Sequence, residues 1–474
     1  MFDLIIQGGD VVTPQGVVAC DVAVVGETIA ATAAPGTLAA DSAKRAIGAK
    51  GHIVMPGGID PHVHMHHPWI KPDGVPLITK GPEHVGRAAL YGGTTTLIDF
   101  AYWRDGLTPA QAVENRDKDF AGKSPCDWAY HLMLHTDPPH EFSGQLAEAI
   151  QAGYPTLKIF TTTILPGRVG RMIDFGDIWE AFQVLAKHGG LGVIHAEDND
   201  IVMHMYAKLI RENRVSFHHL AEAHNQLSED LSFRRVLRLA ESVGAALYMM
   251  HVSAGTGAAA IAEARAKGQA VFGETLHQYL LYSSEDYKKP NGQIYHTYPS
   301  LKSAEDQKAL WDGTANDVIH CVATDELCCT LKEKTLGDRI DNTTGGNSGV
   351  EPRLAVMYTE MVTRRGYSLS RYVDLVSTNA AKIMGLYPKK GAIAVGSDAD
   401  ITILDPSRRG QVRAADLHES DYTPWEGHDI FAWPVTTILR GKVMVENGEY
   451  HGSPKDGRYL KRKIPAAILN GTLP

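Results

Sequence analysis

Short apolar runs recur along this chain, separated by amphipathic helical stretches, and five of them close on a residue able to hold a divalent metal. These are Asp60-Pro61-His62-Val63-His64, Leu157-Lys158-Ile159, Ile194-His195-Ala196, Met250-His251-Val252 and Thr324-Asp325. The runs read as β-strands at His52 to Asp60, Thr94 to Phe100, Trp128 to Leu134, Thr156 to Phe160, Leu191 to Ala196, Ala246 to Val252, Ala270 to Glu274 and Val318 to Asp325. Helical periodicity fills Glu83 to Tyr91, Ile178 to Lys187 and Phe233 to Val243. Eight such βα units fit an α/β fold of the (β/α)8 TIM-barrel type, whose functional side chains project from the C-terminal ends of the strands. The candidate ligands fall there, on strands one, four, five, six and eight.

The two ends of the chain read differently. From Met1 to about Ala49, short apolar runs alternate with turn residues, and the same grammar returns in Asp400 to Asp405 and in Val435 to Val445. These ends are expected to pair into one composite β-sandwich. The expected division is residues 1–54 for the N-terminal part of the sandwich, 55–385 for the barrel, and 386–474 for the C-terminal part with its tail. A chain of 474 residues, 44% of them hydrophobic, has room for a barrel and an accessory unit.

A formal net charge of -9 argues against nucleic acid or an anionic membrane as a partner. Lys461, Arg462 and Lys463 form only a short basic tail, suited to solvent or subunit contact. The start MFDLIIQGGDVVTP lacks a basic stretch followed by a long apolar one, and no apolar run reaches the roughly 18 residues of a membrane span. The expectation is a cytoplasmic protein. The five cysteines are odd in number and show no CxxC spacing, so buried or inert thiols are expected in place of disulfides or a cysteine zinc site.

His62 and His64 stand at i and i+2, which on an extended strand turns both to one face and lets them bind one ion. Imidazole suits zinc and related metals. Such pairs also arise in surface loops, but here the pair follows an apolar strand and Gly57-Gly58. His66 shares the strand face and is a lesser candidate ligand, with a pocket-lining role preferred. Lys158 lies in the apolar run Thr156 to Phe160, where an ammonium ion would be costly to bury. A depressed pKa would make it nucleophilic, whereas a strand-end lysine reaching solvent is the bland alternative. His195 and His251 are singly more often satisfied core histidines than ligands. With His62 and His64 they form a four-histidine set at one barrel mouth. Asp325 can cap the next helix, or act as a ligand and proton shuttle. His218, His219 and His224 sit in the polar segment Ser216 to Glu229, expected as a solvated helix.

These residues resemble the amidohydrolase superfamily, and within it the hydantoinase and dihydropyrimidinase family. The resemblance covers nearly the full length and rests on Met55 to His64, Gly92 to Phe100, His195-Ala196-Glu197, His251-Val252-Ser253, Gly273-Glu274-Thr275, Gly396 to Asp400 and Asp421 to Gly427. It implies two divalent metal ions, by preference zinc (Zn2+), bridged by hydroxide and by an N6-carboxylated lysine matched by Lys158. Carboxylation would turn a costly buried cation into an anionic two-oxygen ligand. The implied ligands are His62, His64, Lys158 and Asp325 for one ion, and Lys158, His195 and His251 for the other. Two ions roughly 3.5 to 4 Å apart can deprotonate a bridging water and polarise a scissile carbonyl. Asp325 would carry the proton to the departing amide nitrogen. The implied partner is a small-molecule cyclic amide, and the implied assembly is a homotetramer.

The positions that recognise the ring depart from the family pattern. Thr163 stands where the family carries an oxyanion-binding tyrosine, five residues after the lysine. Tyr298 stands at the family's serine, and could supply a relocated phenol. The substrate-binding asparagine falls on Gly345, with Asn347 close enough for a shifted loop to use, and Glu326 replaces a frequent histidine. Trp69, Tyr102 and Trp103, in the segments His66 to Gly81 and Tyr102 to Gly106, are candidates for contact with a bulky or planar substituent. The family's dihydroorotase-like neighbours carry an arginine where this chain has His66, which disfavours orotate-type recognition. Lys158 argues against monometal deaminases. The leading expectation is a binuclear cyclic amidohydrolase that opens a hydantoin- or dihydropyrimidine-like ring to an N-carbamoyl amino acid. One alternative is the same metal site acting on another cyclic imide, lactam or substituted ureide. The other is a non-catalytic scaffold, which occupation of all six ligand positions disfavours.

Overall fold

Eight strands stand side by side in chain order, all parallel, in a computed structural model that describes residues 1–474 except 71–73, 105, 136, 168–171 and 474. They are Gly58–Asp60, Thr94–Trp103, Asp127–Leu134, Thr156–Phe160, Leu191–His195, Ala246–Met249, Val271–Leu276 and Ile319–Ala323. The intervening helices include Pro82–Tyr91, Phe175–His188 and Gln226–Val243, each longer than the periodicity alone indicated. Strand side chains are buried on both faces, which is why these segments read as near-continuous apolar runs. The fold is the expected (β/α)8 barrel with a composite sheet from both chain ends.

The barrel closes just above its first strand. His64 N donates to Glu326 O at 2.7 Å, Glu326 N donates to His62 O at 3.3 Å, and on the other side Val63 N donates to Ile98 O at 3.2 Å. The His62 to His64 segment is thus a wall of the barrel mouth, held between the second strand and the residues that follow the eighth. Below it, the fully buried Asp60 carboxylate accepts from Thr324 Oγ1 at 2.7 Å and from His62 N at 3.2 Å.

The run expected as one strand from His52 to Asp60 is two strands in two sheets. Ile53–Pro56 pairs antiparallel with Ile401 to Leu404 and parallel with Asp10 and Val11, whereas Gly58–Asp60 belongs to the barrel. Gly57 makes the crossing: a Cβ there would lie 2.2 Å from Thr95 Oγ1, so only glycine passes this close to the second strand. The sheet that receives Ile53–Pro56 has nine strands drawn from both chain ends, from Phe2–Thr13 to Glu449–Tyr450. It curls so that Ile29 exchanges backbone hydrogen bonds with Gly396 and Ser397, ahead of Ile401–Asp405. Leu4, Ile6, Val22, Val24, Val54, Ile401 and Ile403 fill the second apolar core this encloses.

All five cysteines are free and buried. Among the described residues no helix is long and apolar enough to cross a membrane.

Candidate metal centre and substrate cavity

One cavity at the barrel mouth, with about 640 Å³ of space free of protein atoms, is lined by His62, His64, Lys158, His195, His251 and Asp325 together. Parallel register brings them there. Phe160 pairs with His195, and Lys158 pairs with Val193, one side-chain repeat deeper in the barrel. The long lysine stem makes up the difference. His251 and Asp325 each lie two residues past their strand end, and both adopt left-handed backbone, with φ of 37° and 53°. Non-glycine residues held there cost about 1–3 kcal/mol each and cluster at functional sites.

His62, His64 and Asp325 each offer a ligand atom, all within 4.8 Å of one another. His62 Nε2 lies 3.0 Å and His64 Nε2 3.2 Å from Asp325 Oδ1. Such separations suit ligands that share an ion at about 2 Å. His62 Nδ1 meets Glu274 Oε1 at 2.8 Å, so Nε2 is the nitrogen left facing the cavity. Burial alone would drive a proton off His62, but Asp325 and Glu274 outweigh it and raise the pKa to about 9. The arrangement therefore favours positive charge at this point, as a cation site requires. The same histidines hold Asp325 well below the usual carboxylate range despite its burial.

The second group is built around Lys158, 1% exposed. Its Nζ lies 2.9 Å from Met250 Sδ and 4.8 Å from the centre of the Phe160 ring. The His195 and His251 rings pack edge to face at 4.5 Å, and the His62 and His251 rings lie 5.4 Å apart. Burial holds His251 well below the ordinary imidazole pKa, and the charges of His195 and Lys158 add to that. Neutral imidazoles are the form that binds metal. His195 Nε2 meets Glu197 Oε2 at 2.8 Å, which orients the ring.

Three supporting residues carry no role in the sequence reading. Glu274 also accepts from Tyr248 OH at 2.8 Å and from His251 N at 3.1 Å, so one carboxylate orients both histidine segments. Glu197 meets His224 Nδ1 at 2.8 Å, and His224 Nε2 meets Tyr206 OH at 2.7 Å. Thr297 Oγ1 donates to Asp325 Oδ2 at 2.5 Å. Glu274 closing an apolar strand and Glu197 at i+2 from His195 were the available signals. The solvated helix expected over Ser216 to Glu229 is corrected here: the segment holds two short helical pieces, Phe217–His219 and Leu220–Ala223, and the start of Gln226–Val243, and His224 is wholly buried and partners Glu197.

The substrate-side expectations meet mixed outcomes. Trp69 and Tyr298 line the cavity, as do Gly345, Gly346, Leu327 and Ile164. Thr163 does not: its Oγ1 donates to Asn199 Oδ1 at 3.2 Å, and Ile164, at φ 68°, takes its place in the wall. Asn347 is fully buried outside the lining. With its amide turned to satisfy its neighbours, Nδ2 donates to Ile294 O at 2.7 Å and Oδ1 accepts from Gln278 Nε2 at 2.9 Å. His66 turns away at φ 48° to pair with Asp119 at 2.9 Å, because the extended chain ends at His64, and His67 lines the cavity in its stead. Trp103 is core, stacked on Phe142, and the Tyr102 hydroxyl pairs with His67. Of the segments His66 to Gly81 and Tyr102 to Gly106, residues 71–73 and 105 lie outside the described residues.

The description "Amidohydrolase family" matches residues 53–444, more than four-fifths of the chain. The chain belongs to the amidohydrolase family. Among curated relatives of this amidohydrolase, the D-hydantoinase of Ralstonia pickettii is 33% identical over 471 residues, 97% of this chain and 99% of that one. A crystal structure of dihydropyrimidinase from Brevibacillus agri superposes with a TM-score of 0.91 at 30% identity, covering 98% of this chain and 99% of that chain. L-Hydantoinase from Arthrobacter aurescens gives 0.85 at 27% identity, over 98% and 100% of the two chains. The amidohydrolase thus lies within the hydantoinase and dihydropyrimidinase family.

Proposed function

We propose that this amidohydrolase is a binuclear metal-dependent enzyme that opens a hydantoin- or dihydropyrimidine-like ring to an N-carbamoyl amino acid. The observation that carries the reading is the convergence of four imidazoles, Lys158 and Asp325 on one cavity. The donor set fits two cations: Asp325 and Glu274 set carboxylate charge against His62, and His251 is held in the neutral form that binds metal. Lys158, N6-carboxylated, would bridge, with His62, His64 and Asp325 on one side and His195 and His251 on the other. Two ions, by preference Zn2+, supply polarisation of the scissile carbonyl and a hydroxide nucleophile near neutral pH. The chain's own residues do the rest. Asp325 takes up the proton of the attacking water and returns it to the ring nitrogen as the carbon–nitrogen bond breaks. Thr297 holds Oδ2, which leaves Oδ1 turned to His62 and His64. Glu274 orients the His62 ring and Glu197 the His195 ring.

A second reading keeps this chemistry and changes the ring to another cyclic imide, lactam or substituted ureide. The Tyr298 ring beside Gly345 favours it, as does Ile164 in the wall in place of Thr163. Comparing turnover of hydantoin, dihydrouracil and a cyclic imide by the purified zinc enzyme decides between them. Fast opening of either of the first two supports the leading reading. Inertness of both with rapid opening of the imide selects the second.

A further inference from the structure

Tyr298 and Gly345 are matched to each other. A Cβ on residue 345 would lie 2.4 Å from Tyr298 Cδ2 and 2.7 Å from Cε2, so the phenol ring lies directly on the glycine backbone. Both residues line the cavity, and they belong to two loops that no strand joins. What joins the loops is Lys334, at the end of the short helix Leu331–Lys334 and fully buried. Its Nζ donates to His296 O at 2.6 Å on the loop that carries Thr297 and Tyr298. It donates also to Thr344 O at 2.7 Å and to Gly346 O at 2.5 Å, the two carbonyls that flank Gly345. Three N–H donors meet three carbonyls, which uses the hydrogen-bonding capacity of an ammonium group in full. Burial pushes the lysine pKa down to about 7, so this geometry is kept against a desolvation cost. Asn347 reinforces the join from the other side through Ile294 O and His296 O.

We infer that Lys334 is a positioning residue whose three hydrogen bonds clamp the Tyr298 loop to the Gly345 loop and thereby set the width of the ring-binding wall. The inference rests on the proposed function for its link to substrate, and on geometry alone for the clamp.

The test uses the zinc-loaded full chain and two kinds of readout. Lys334→Met is expected to raise amide hydrogen exchange in residues 296–298 and 343–347 while the barrel strands keep wild-type protection. Its KM for the best cyclic amide should rise about tenfold or more, with metal content unchanged and kcat within about threefold. Unchanged exchange in the two loops, exchange raised through the whole barrel, or an unchanged KM overturns the clamp. A second comparison does not need that variant to fold. Gly345→Ala is expected to lower melting temperature and raise KM in the presence of Tyr298, and to do much less of both in a Tyr298→Ala background. Equal effects in the two backgrounds overturn the matched pair. If the wild-type chain opens no cyclic amide, the functional reading fails, and the exchange and melting measurements still decide the clamp.

Discussion

The two halves of the cavity wall are built by different means. On one half, His62, His64, Lys158, His195, His251 and Asp325 stand on or within two residues of a strand or its direct continuation, and the His62 and His195 imidazoles are aimed by the buried carboxylates of Glu274 and Glu197. On the other half, Tyr298, Gly345 and Ile164 stand on loops and Trp69 on the short hairpin strand Pro68–Ile70, and the Tyr298 and Gly345 loops are held by backbone carbonyls gripped from Lys334 and Asn347. The strand half places its donors through parallel register. The loop half has no such register, so single substitutions there change shape. The reaction type and the ring are thus written in separate places.

The strongest way to break this comparison is to attack the strand half. Asp325→Asn is expected to lower kcat by about 10²–10⁴-fold, the usual worth of a positioned proton-transfer group, for every ring tested. Stopped-assay rates on two rings check it, and a loss confined to one ring would put Asp325 on the recognition side. Glu274→Gln, which leaves His62 Nδ1 and Tyr248 OH facing an amide, should weaken metal binding by about 10–100-fold in a chelator competition titration. Wild-type affinity would mean that His62 needs no carboxylate to orient it.

On the loop half, Tyr298→Phe sharpens the contrast. The hydroxyl donates to Thr343 O at 3.3 Å, a long bond, so its loss is expected to cost no more than about threefold in kcat/KM. A phenol serving as oxyanion donor would instead cost about 10²–10³-fold in kcat. Steady-state kinetics on the preferred ring separates these outcomes.

The smallest effect lies outside both halves. Burial would raise the pKa of Glu360, but hydrogen bonds from His428 and Arg365 and the charge of Arg364 hold it at about 2. Its folded pKa is below its unfolded one, so its stabilising contribution is complete above about 4.5 and is lost as pH falls toward 2. Glu360→Gln should remove part of the acid sensitivity of the melting temperature and leave ring preference unchanged.

The same division explains what the sequence made legible. Strand-end ligands follow from apolar runs and the two-residue period, and all six converge on one cavity. That period fails one step later, at His66, where a left-handed residue ends the extended chain. The strand ahead of it read as continuous because a glycine passing between two sheets leaves no polar mark. Thr163 and Asn347 were placed by counting along loops, and a loop's register depends on which carbonyls a distant Lys334 or Gln278 happens to meet. His224 looked solvated because its partner, Glu197, is distant in sequence.

Metal analysis of the wild-type chain beside Lys158→Ala tests most directly the proposal that Lys158 bridges two metal ions at the mouth of this barrel. After preparation with added zinc and bicarbonate, the wild type is expected to hold about two ions per chain. The variant should lose metal and turnover together, with turnover partly restored by small carboxylic acids that stand in for the missing bridge. Two tightly bound ions and full turnover in Lys158→Ala, or a wild-type chain that takes up no metal, would contradict the account.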